Sequence, residues 1–349
     1  MNELDRTMDA LRPGAGVPVL ATLMSVAGSA YRGPGARMVV RPDDTTVGAI
    51  SGGCLEKDVV AHAGRVRARG AAETVGYDLT GGDDAPWGLN MGCNAKLDVL
   101  LEPCPAGPPA YLAAARDALR AREAVVLSTL FAVRGAAAGV PIAARALTIG
   151  DRPGEGPLAA GPLGAAITAG AARARAAARS AVATYPVGGG EAMVLHEYLA
   201  VPVRLVICGE SGDTTPLRTL GEALGWTVVG VGKADALPAM DARTAAVVMT
   251  HHYPRDVALI GTLLPSPAGY VGLLGPRSRT ERVLADVRAA GVRPHAAALA
   301  RLHAPIGLDI GAETPEEIAL AVAAEVRAQM AARPGGKLRE RDGGIHDRR

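Results

Sequence analysis

Aromatic residues are scarce, with 7 Tyr, 2 Trp and 1 Phe in 349 residues. That argues against a stacking platform for single-stranded nucleic acid and against an aromatic cage for a cationic ligand. Cysteine is sparse too: Cys54, Cys93, Cys104 and Cys208 form no C-x-x-C pair and are too few for a disulfide scaffold in a chain this long. Net charge is only +2, which leaves neither nucleic acid nor an anionic membrane as an expected partner. No apolar run reaches the roughly 18 to 20 residues of a membrane span. The start, MNELDRTMDALRPG, has early acids and no apolar stretch of the kind that targets a chain for export. A cytoplasmic location with free thiols is therefore expected. What the chain has in excess is glycine (44) and proline (25), a turn-rich composition, while 49% hydrophobic residues provide an aliphatic core. The length allows two or three domains.

From Val19, VLATLMSVAGSAYRGPGARMVV reads as two strands around a Gly/Pro loop, and TVGAISGGCLEKDVVAHAGRVRARG as a short strand passing through glycines into a helix. A fainter copy follows about 107 residues later in VVLSTLFAVRGAAAGVPIAARALTIG and GPLGAAITAGAARARAAARSA. Each copy closes in an acid-bearing strand, KLDVLLEP (Lys96 to Pro103) and AMVLHEYLAVP (Ala192 to Pro202). Residues 1–200 thus read as one α/β unit duplicated within itself, about 1–105 and 120–200, joined through a helix from Tyr111 to Glu123 whose Ala and Arg content favours helix. Residues 201–333 alternate aliphatic strands with helical stretches and read as a Rossmann-like, doubly wound parallel sheet. Thr314-Pro315-Glu316-Glu317 marks the start of its last helix by a capping box. The tail 334–349 is charged, glycine-broken and expected to be disordered.

The two copies differ where chemistry belongs. Ser51-Gly52-Gly53-Cys54 stands at the first copy's strand-to-helix turn, and Ile167-Thr168-Ala169-Gly170 is read as its thiol-free counterpart, so the second copy is expected to be scaffold. At Cys54 the glycines permit close ligand approach, and the helix that follows would set its positive end beside the sulfur. The plain alternative is a small hydrophobe packed at a strand end. Cys93, after Gly92 in a second glycine turn, reads equally as ligand contact or packing. Cys104 and Cys208 read as structural. The loop Ser29 to Arg37 offers backbone donors and two guanidiniums to a phosphate or carboxylate. The acidic loop Gly81 to Gly88 lacks the carboxylate spacing of a metal loop and reads as a cover.

In the third unit, Gly209-Glu210-Ser211-Gly212-Asp213 occupies the place of a dinucleotide fingerprint without matching it, and Val229 to Lys233 supplies no ribose-binding acid, so NAD(P) is weakly supported. Arg277, Ser278 and Arg279 at a helix start are set to clamp an anion, and the adjacent His251 and His252 read as polar contacts rather than metal ligands.

Six separated runs, GSAYRGPGARMVV, GAISGGCLEKDVV, APWGLNMGCNAKLDVLLEP, AAVVMTHHYPRD, YVGLLGPRSRTERVL and HAPIGLDIGAETPEEIALAVAAEV, together resemble the XdhC/CoxI family of molybdenum-hydroxylase accessory proteins, in order along nearly the whole chain. The resemblance implies a maturation factor rather than a catalyst. It would bind molybdenum cofactor and pass it to the apo large subunit of a xanthine dehydrogenase or CO dehydrogenase type hydroxylase, with a cysteine desulfurase as a further partner; a homodimer is expected only from the base rate of oligomers. Implied cofactor contacts are Gly52, Gly53 and Cys54, Gly92 and Cys93, and Arg37, with Cys54 facing molybdenum or its terminal sulfur. In the Rossmann-like domain Gly209, Gly212, Arg277 and Ser278 are the corresponding ligand positions. The runner-up is an NAD(P)-dependent Rossmann oxidoreductase with His251, His252 or Cys54 as proton donor. A third reading is a scaffold bridging hydroxylase and desulfurase.

Overall fold

The computed structural model describes residues 3–80, 95–135 and 141–342. They divide into two compact units, 3–201 and 202–342. Among the described residues no helix is long and apolar enough to cross a membrane.

The first unit is built twice from one plan. Its first half runs α1 (Glu3–Ala10), β1 (Val19–Gly28), β2 (Arg37–Val40), β3 (Thr46–Gly48), α2 (Glu56–Arg69), β4 (Glu73–Asp78) and β5 (Ala95–Pro103). The second half runs α3 (Ala110–Arg120), β6 (Val125–Gly135), β7 (Arg145–Ile149), α4 (Pro157–Ala160), α5 (Gly164–Ala176), β8 (Ala181–Val187) and β9 (Gly190–Leu199). The antiparallel sheets have matching orders, β3-β2-β1-β5-β4 and β7-β6-β9-β8. Even an irregularity is repeated: β1 bulges between Leu23 and Ser25, and β6 between Leu130 and Ala132. The residues expelled by the two bulges, Met24 and Phe131, are both buried and pack with Leu100 of β5 and Leu195 of β9 into one small core. A bulge kinks its strand and re-aims the extra side chain; here it aims each half at the other.

Two buried ion pairs cross between the halves. Arg37 of β2 binds Glu197 of β9 through two hydrogen bonds of 2.8 and 2.5 Å, while Arg145 of β7 binds Glu102 of β5. Each arginine also donates to a carbonyl two residues back, Gly35 and Ala143. In both, Nε is buried without a partner. Burial opposes the Arg37 charge, yet Glu197 more than offsets it and holds the guanidinium protonated. A side chain at residue 35 would lie 2.7 Å from Glu197 Oε1, and with φ at +95° Gly35 is required twice over.

The second unit is a parallel sheet with the order β11-β10-β12-β13-β14. Its elements are β10 (Arg204–Cys208), α6 (Thr214–Ala223), β11 (Thr227–Val231), β12 (Thr244–Val248), α7 (Tyr253–Leu263), β13 (Tyr270–Leu273), α8 (Arg277–Ala289), α9 (Ala296–Leu299), β14 (Leu302–His303) and α10 (Pro315–Met330). Alternate residues of the central strands serve opposite faces: Val206, Cys208 and Val248 pack with α7 and α8, Leu205, Ile207 and Val247 with α6 and α10. This is the doubly wound arrangement that the aliphatic runs imply, and its strand order reverses between β10 and β12, where such sheets bind ligands. Thr314 and Glu317 complete the capping box of α10. In the tail, Leu338–Glu340 form a short 3-10 turn; residues 343–349 lie outside the described residues.

One sequence expectation needs correction here. Ile167 to Gly170 lie inside α5 rather than at a turn. Helices α2 and α5 both start after a leucine, Leu55 and Leu163, in the same right-handed conformation, so the stretch facing Ser51 to Cys54 is Ala159 to Pro162. The second half still has no thiol there.

Candidate functional site

The turn before α2 is organised around Ser51. Its hydroxyl donates to Glu56 Oε2 at 2.5 Å and accepts from the N–H groups of Gly53 and Leu55 and from the Cys54 thiol, 3.4 Å away. Glu56 accepts in addition from the backbone of Ser51 and Leu55. Partial burial works against its charge, but these hydrogen bonds hold the carboxyl below the ordinary range. With Glu56 and Asp58 in the first turn, the helix meets its own positive end with acid, so the field expected to act on the sulfur is already answered.

Cys54 is half-buried, its inner side against the core of the first half. Gly53 has φ +109°, a conformation that L side chains rarely adopt, and a Cβ there would meet nothing within 4 Å among the described residues. Among the described residues Gly52 is covered by Tyr31, whose ring stands 3.7 Å from where its Cβ would be. Among the described residues the result is a sparsely covered backbone floor with a half-buried sulfur at its edge. Such a floor fits a group that brings a soft atom close to main chain. By contrast Cys104 and Cys208 are buried, and burial pushes their thiols up to about 12 and about 11. Gly92 and Cys93, like the acidic loop 81–88, lie outside the described residues.

Arg37 does not serve as the expected anion contact. It is 7% exposed and committed to Glu197. Its unpartnered Nε is no imprint of a ligand, because Arg145 has the same orphan in the same pair geometry. The other guanidinium of the loop, Arg32, makes an exposed pair with Glu3 at 2.6 Å. A cavity of about 340 Å³ opens beside it, lined by α1, the loop 32–37 and Glu197 to Leu199. Surface pairs of this kind are worth about 0–1 kcal/mol, so Arg32 can exchange Glu3 for an incoming anion at small cost.

In the second unit Gly209 answers a packing need: a Cβ there would stand 2.5 Å from the Met249 carbonyl. A Cβ at Gly212 would meet nothing within 4 Å among the described residues. Asp213 stands at the start of α6, bonded to Ser211 and, at 2.8 Å, to His251, whose φ is +53°. Its partial burial is outweighed by those two partners, which hold its carboxyl below the usual value. Sequence reading overlooked Asp235, which stands past β11 and accepts from Gly232 N at 2.7 Å. Arg255 reaches the carbonyls of Val231 and Gly232. Glu210 and Asp213 thus set acid beside the first turn, where the phosphates of a dinucleotide would lie, while Asp235 supplies a carboxylate past β11. Arg277 and Ser278 are exposed at the start of α8, while Arg279 is tied to buried Asp256 at 2.6 Å. His252 caps α7 through its ring, and no group of three or more metal-ligating side chains occurs among the described residues.

The class this defines is a two-unit α/β protein: a duplicated antiparallel domain bearing a thiol turn in one half only, linked to a Rossmann-type sheet. Residues 14–78 match the model of the XdhC and CoxI family and residues 205–326 that of the XdhC Rossmann domain, together more than half of the chain. The chain belongs to the XdhC and CoxI family. It is similar to a Bacillus subtilis protein named as a probable xanthine dehydrogenase component, at 28% identity over 93% of this chain and 97% of that one. It also resembles the molybdenum cofactor insertion chaperone PaoD of Escherichia coli, at 26% identity over 91% and 85% of the two chains. A crystal structure described as a xanthine dehydrogenase of Bacillus halodurans superposes with a TM-score of 0.72, 26% identity and 98% of both chains covered.

Proposed function

We propose that this protein binds molybdenum cofactor and delivers it to an apo molybdenum hydroxylase of the xanthine or CO dehydrogenase type, acting as a maturation factor rather than a catalyst. One observation supports this above the others: a half-buried thiol on a glycine turn in the first half, with alanine, glycine and proline in its place in the second. When bound, the cofactor supplies a metal with soft sulfur ligands on a pterin that ends in a phosphate. Cys54 would meet the soft end, Gly52 and Gly53 would keep the main chain clear of it, and Ser51 with Glu56 would hold the turn in shape. Arg32, rather than Arg37, is placed to receive an anionic end. The similarity to PaoD supports the same assignment, and a cysteine desulfurase is the class of partner that would renew a terminal sulfur. The test is anaerobic titration of the full chain with isolated cofactor. Saturable binding that is lost in Cys54→Ser is expected; binding no greater than to serum albumin ends the reading.

A further inference from the structure

Strand β8 lies at the edge of its sheet, and its sequence, AVATYPV, has no charged residue in seven. An edge strand shows unpaired N–H and C=O groups to its surroundings, and charge, shortness or a covering segment ordinarily keeps another strand from pairing with it. The other edges of the first unit have such guards. Strand β3 is three residues long. Strand β7 is covered by Glu155, which exchanges both backbone bonds with Leu147, at 2.8 and 2.9 Å. Strand β4, the counterpart of β8 in the first half, begins with Glu73 and ends with Asp78, and its Thr74 hydroxyl is tied to the Phe131 carbonyl at 2.5 Å. Among the described residues β8 pairs with no strand but β9.

The hairpin fixes which groups point outward. Gly188 and Gly189, both at positive φ, form a two-residue turn between the paired Val187 and Gly190, and in such a hairpin the residues flanking the turn bond each other. Counting back in twos, Val187, Tyr185, Ala183 and Ala181 bond β9, and Pro186, Thr184 and Val182 turn their backbone groups outward. Pro186 agrees with this, because a proline fits a strand where its missing N–H faces away from the neighbour. The same three residues are exposed, Val182 by 38%, while Ala183, Tyr185 and Val187 pack on the core beneath. Antiparallel pairing with β8 of a second copy, centred on Thr184 so that the whole strand takes part, satisfies these groups. Thr184 exchanges both bonds with its counterpart, and Val182 donates to the Pro186 carbonyl of the other strand; the return bond from Pro186 is missing only at the ends of the ladder. Like charges set opposite one another destabilise a strand pair. The same self-pairing of β4 would set Glu73 against Asp78, whereas β8 sets threonine against threonine and valine against proline. We infer that the β8 edge is a homodimer surface, on which a second copy of this chain pairs its own β8 and joins the two β7-β6-β9-β8 sheets into one. The inference stands apart from the cofactor reading, since no residue of the Cys54 turn takes part.

The experiment measures the oligomeric state of the full chain by sedimentation over a range of micromolar concentrations, where wild type should form a dimer. Thr184→Lys and Thr184→Glu each set like charges against each other across the axis and should weaken dimerisation about tenfold or more. An equimolar mixture of the two variants should dimerise again. Thr46→Lys, which places the same charge on the exposed edge β3, should dimerise as wild type does. Because Thr184 is exposed, its variants should melt with the wild type. Amide exchange of the unaltered chain gives a second readout: the N–H groups of Val182 and Thr184 should exchange more slowly as concentration rises, while that of Ala183, already bonded to β9, should not change. A wild type that stays monomeric overturns the inference, whatever other chain the edge takes. So does a dimer that survives both charges at Thr184, or one that both charges abolish without recovery on mixing. If the charged variants fold poorly, exchange at Val182 and Thr184 that is independent of concentration overturns it in the wild type alone.

Discussion

The two halves of the first unit share strand order, bulge and cross-pairing, and differ in what fills equivalent places. His62 holds the position on α2 that Gly170 holds on α5, counted from the matching leucine starts. Leu101 of β5, opposite Ala21, corresponds to His196 of β9, opposite Ser128. The histidine has in effect moved from helix to strand. In the first half Tyr77 bonds Asp58, with the His62 ring edge-on. In the second, Tyr185 bonds His196 at 2.7 Å, Ser128 takes the other ring nitrogen at 2.8 Å, and Gly170 leaves the room they need. His196 is 1% exposed with both nitrogens satisfied, so the second half has a closed polar core where the first has a half-buried thiol turn. The frame is shared because both halves must meet across it. Its contents were free to diverge.

The largest test of the shared frame is removal of one partner of a crossing pair. Glu197→Ala and Glu102→Ala should each cost about 3–5 kcal/mol by chemical denaturation, since each strands a buried guanidinium. A large cost in one and none in the other would break the symmetry argument. Next comes pH. Burial pushes His196 down to about 4, below the ordinary value of about 6.5. The unfolded chain therefore binds the extra proton between those values, and stability from this group is complete above pH 6.5 and lost as pH falls towards 4. The loss amounts to about 3 kcal/mol, and the slope should vanish in His196→Gln. Smaller is Gly170→Ala: the added methyl would lie 2.4 Å from both His196 Nε2 and Tyr185 Oη, an overpacking that costs about 1–3 kcal/mol. Smallest of all is Cys54→Ser, expected to shift unfolding by less than about 0.5 kcal/mol while abolishing cofactor binding. A large loss of stability there would make the thiol turn part of the frame rather than the site.

How far the sequence discloses these parts depends on the range of the signals. The start of α10 is legible because Thr314 and Glu317 act within one turn. The start of α2 is legible through the glycines of its turn, whereas that of α5 is not: Leu163 makes no side-chain cap, and the alanine-rich run from 159 offers no other mark, hence the misplaced counterpart turn. Gly52, Gly53 and Cys54 are visible as a motif because the backbone itself needs the glycines. Tyr31 lies too far from them in sequence to be joined to that motif. Asp235 escaped notice because it follows β11 by a short loop rather than ending the strand.

By itself the sequence determined the duplication, the parallel sheet of the second unit and the identity of the thiol turn, all of which rest on periodicity, local turn chemistry or repetition. Only the tertiary structure decided what the charges do. Arg37 and Glu197 stand 160 residues apart and each looks like a surface group or a ligand contact when read locally. Folding buries both, and a buried charge must find its opposite. That requirement, invisible along the chain, turned the expected phosphate contact into the lock between two halves.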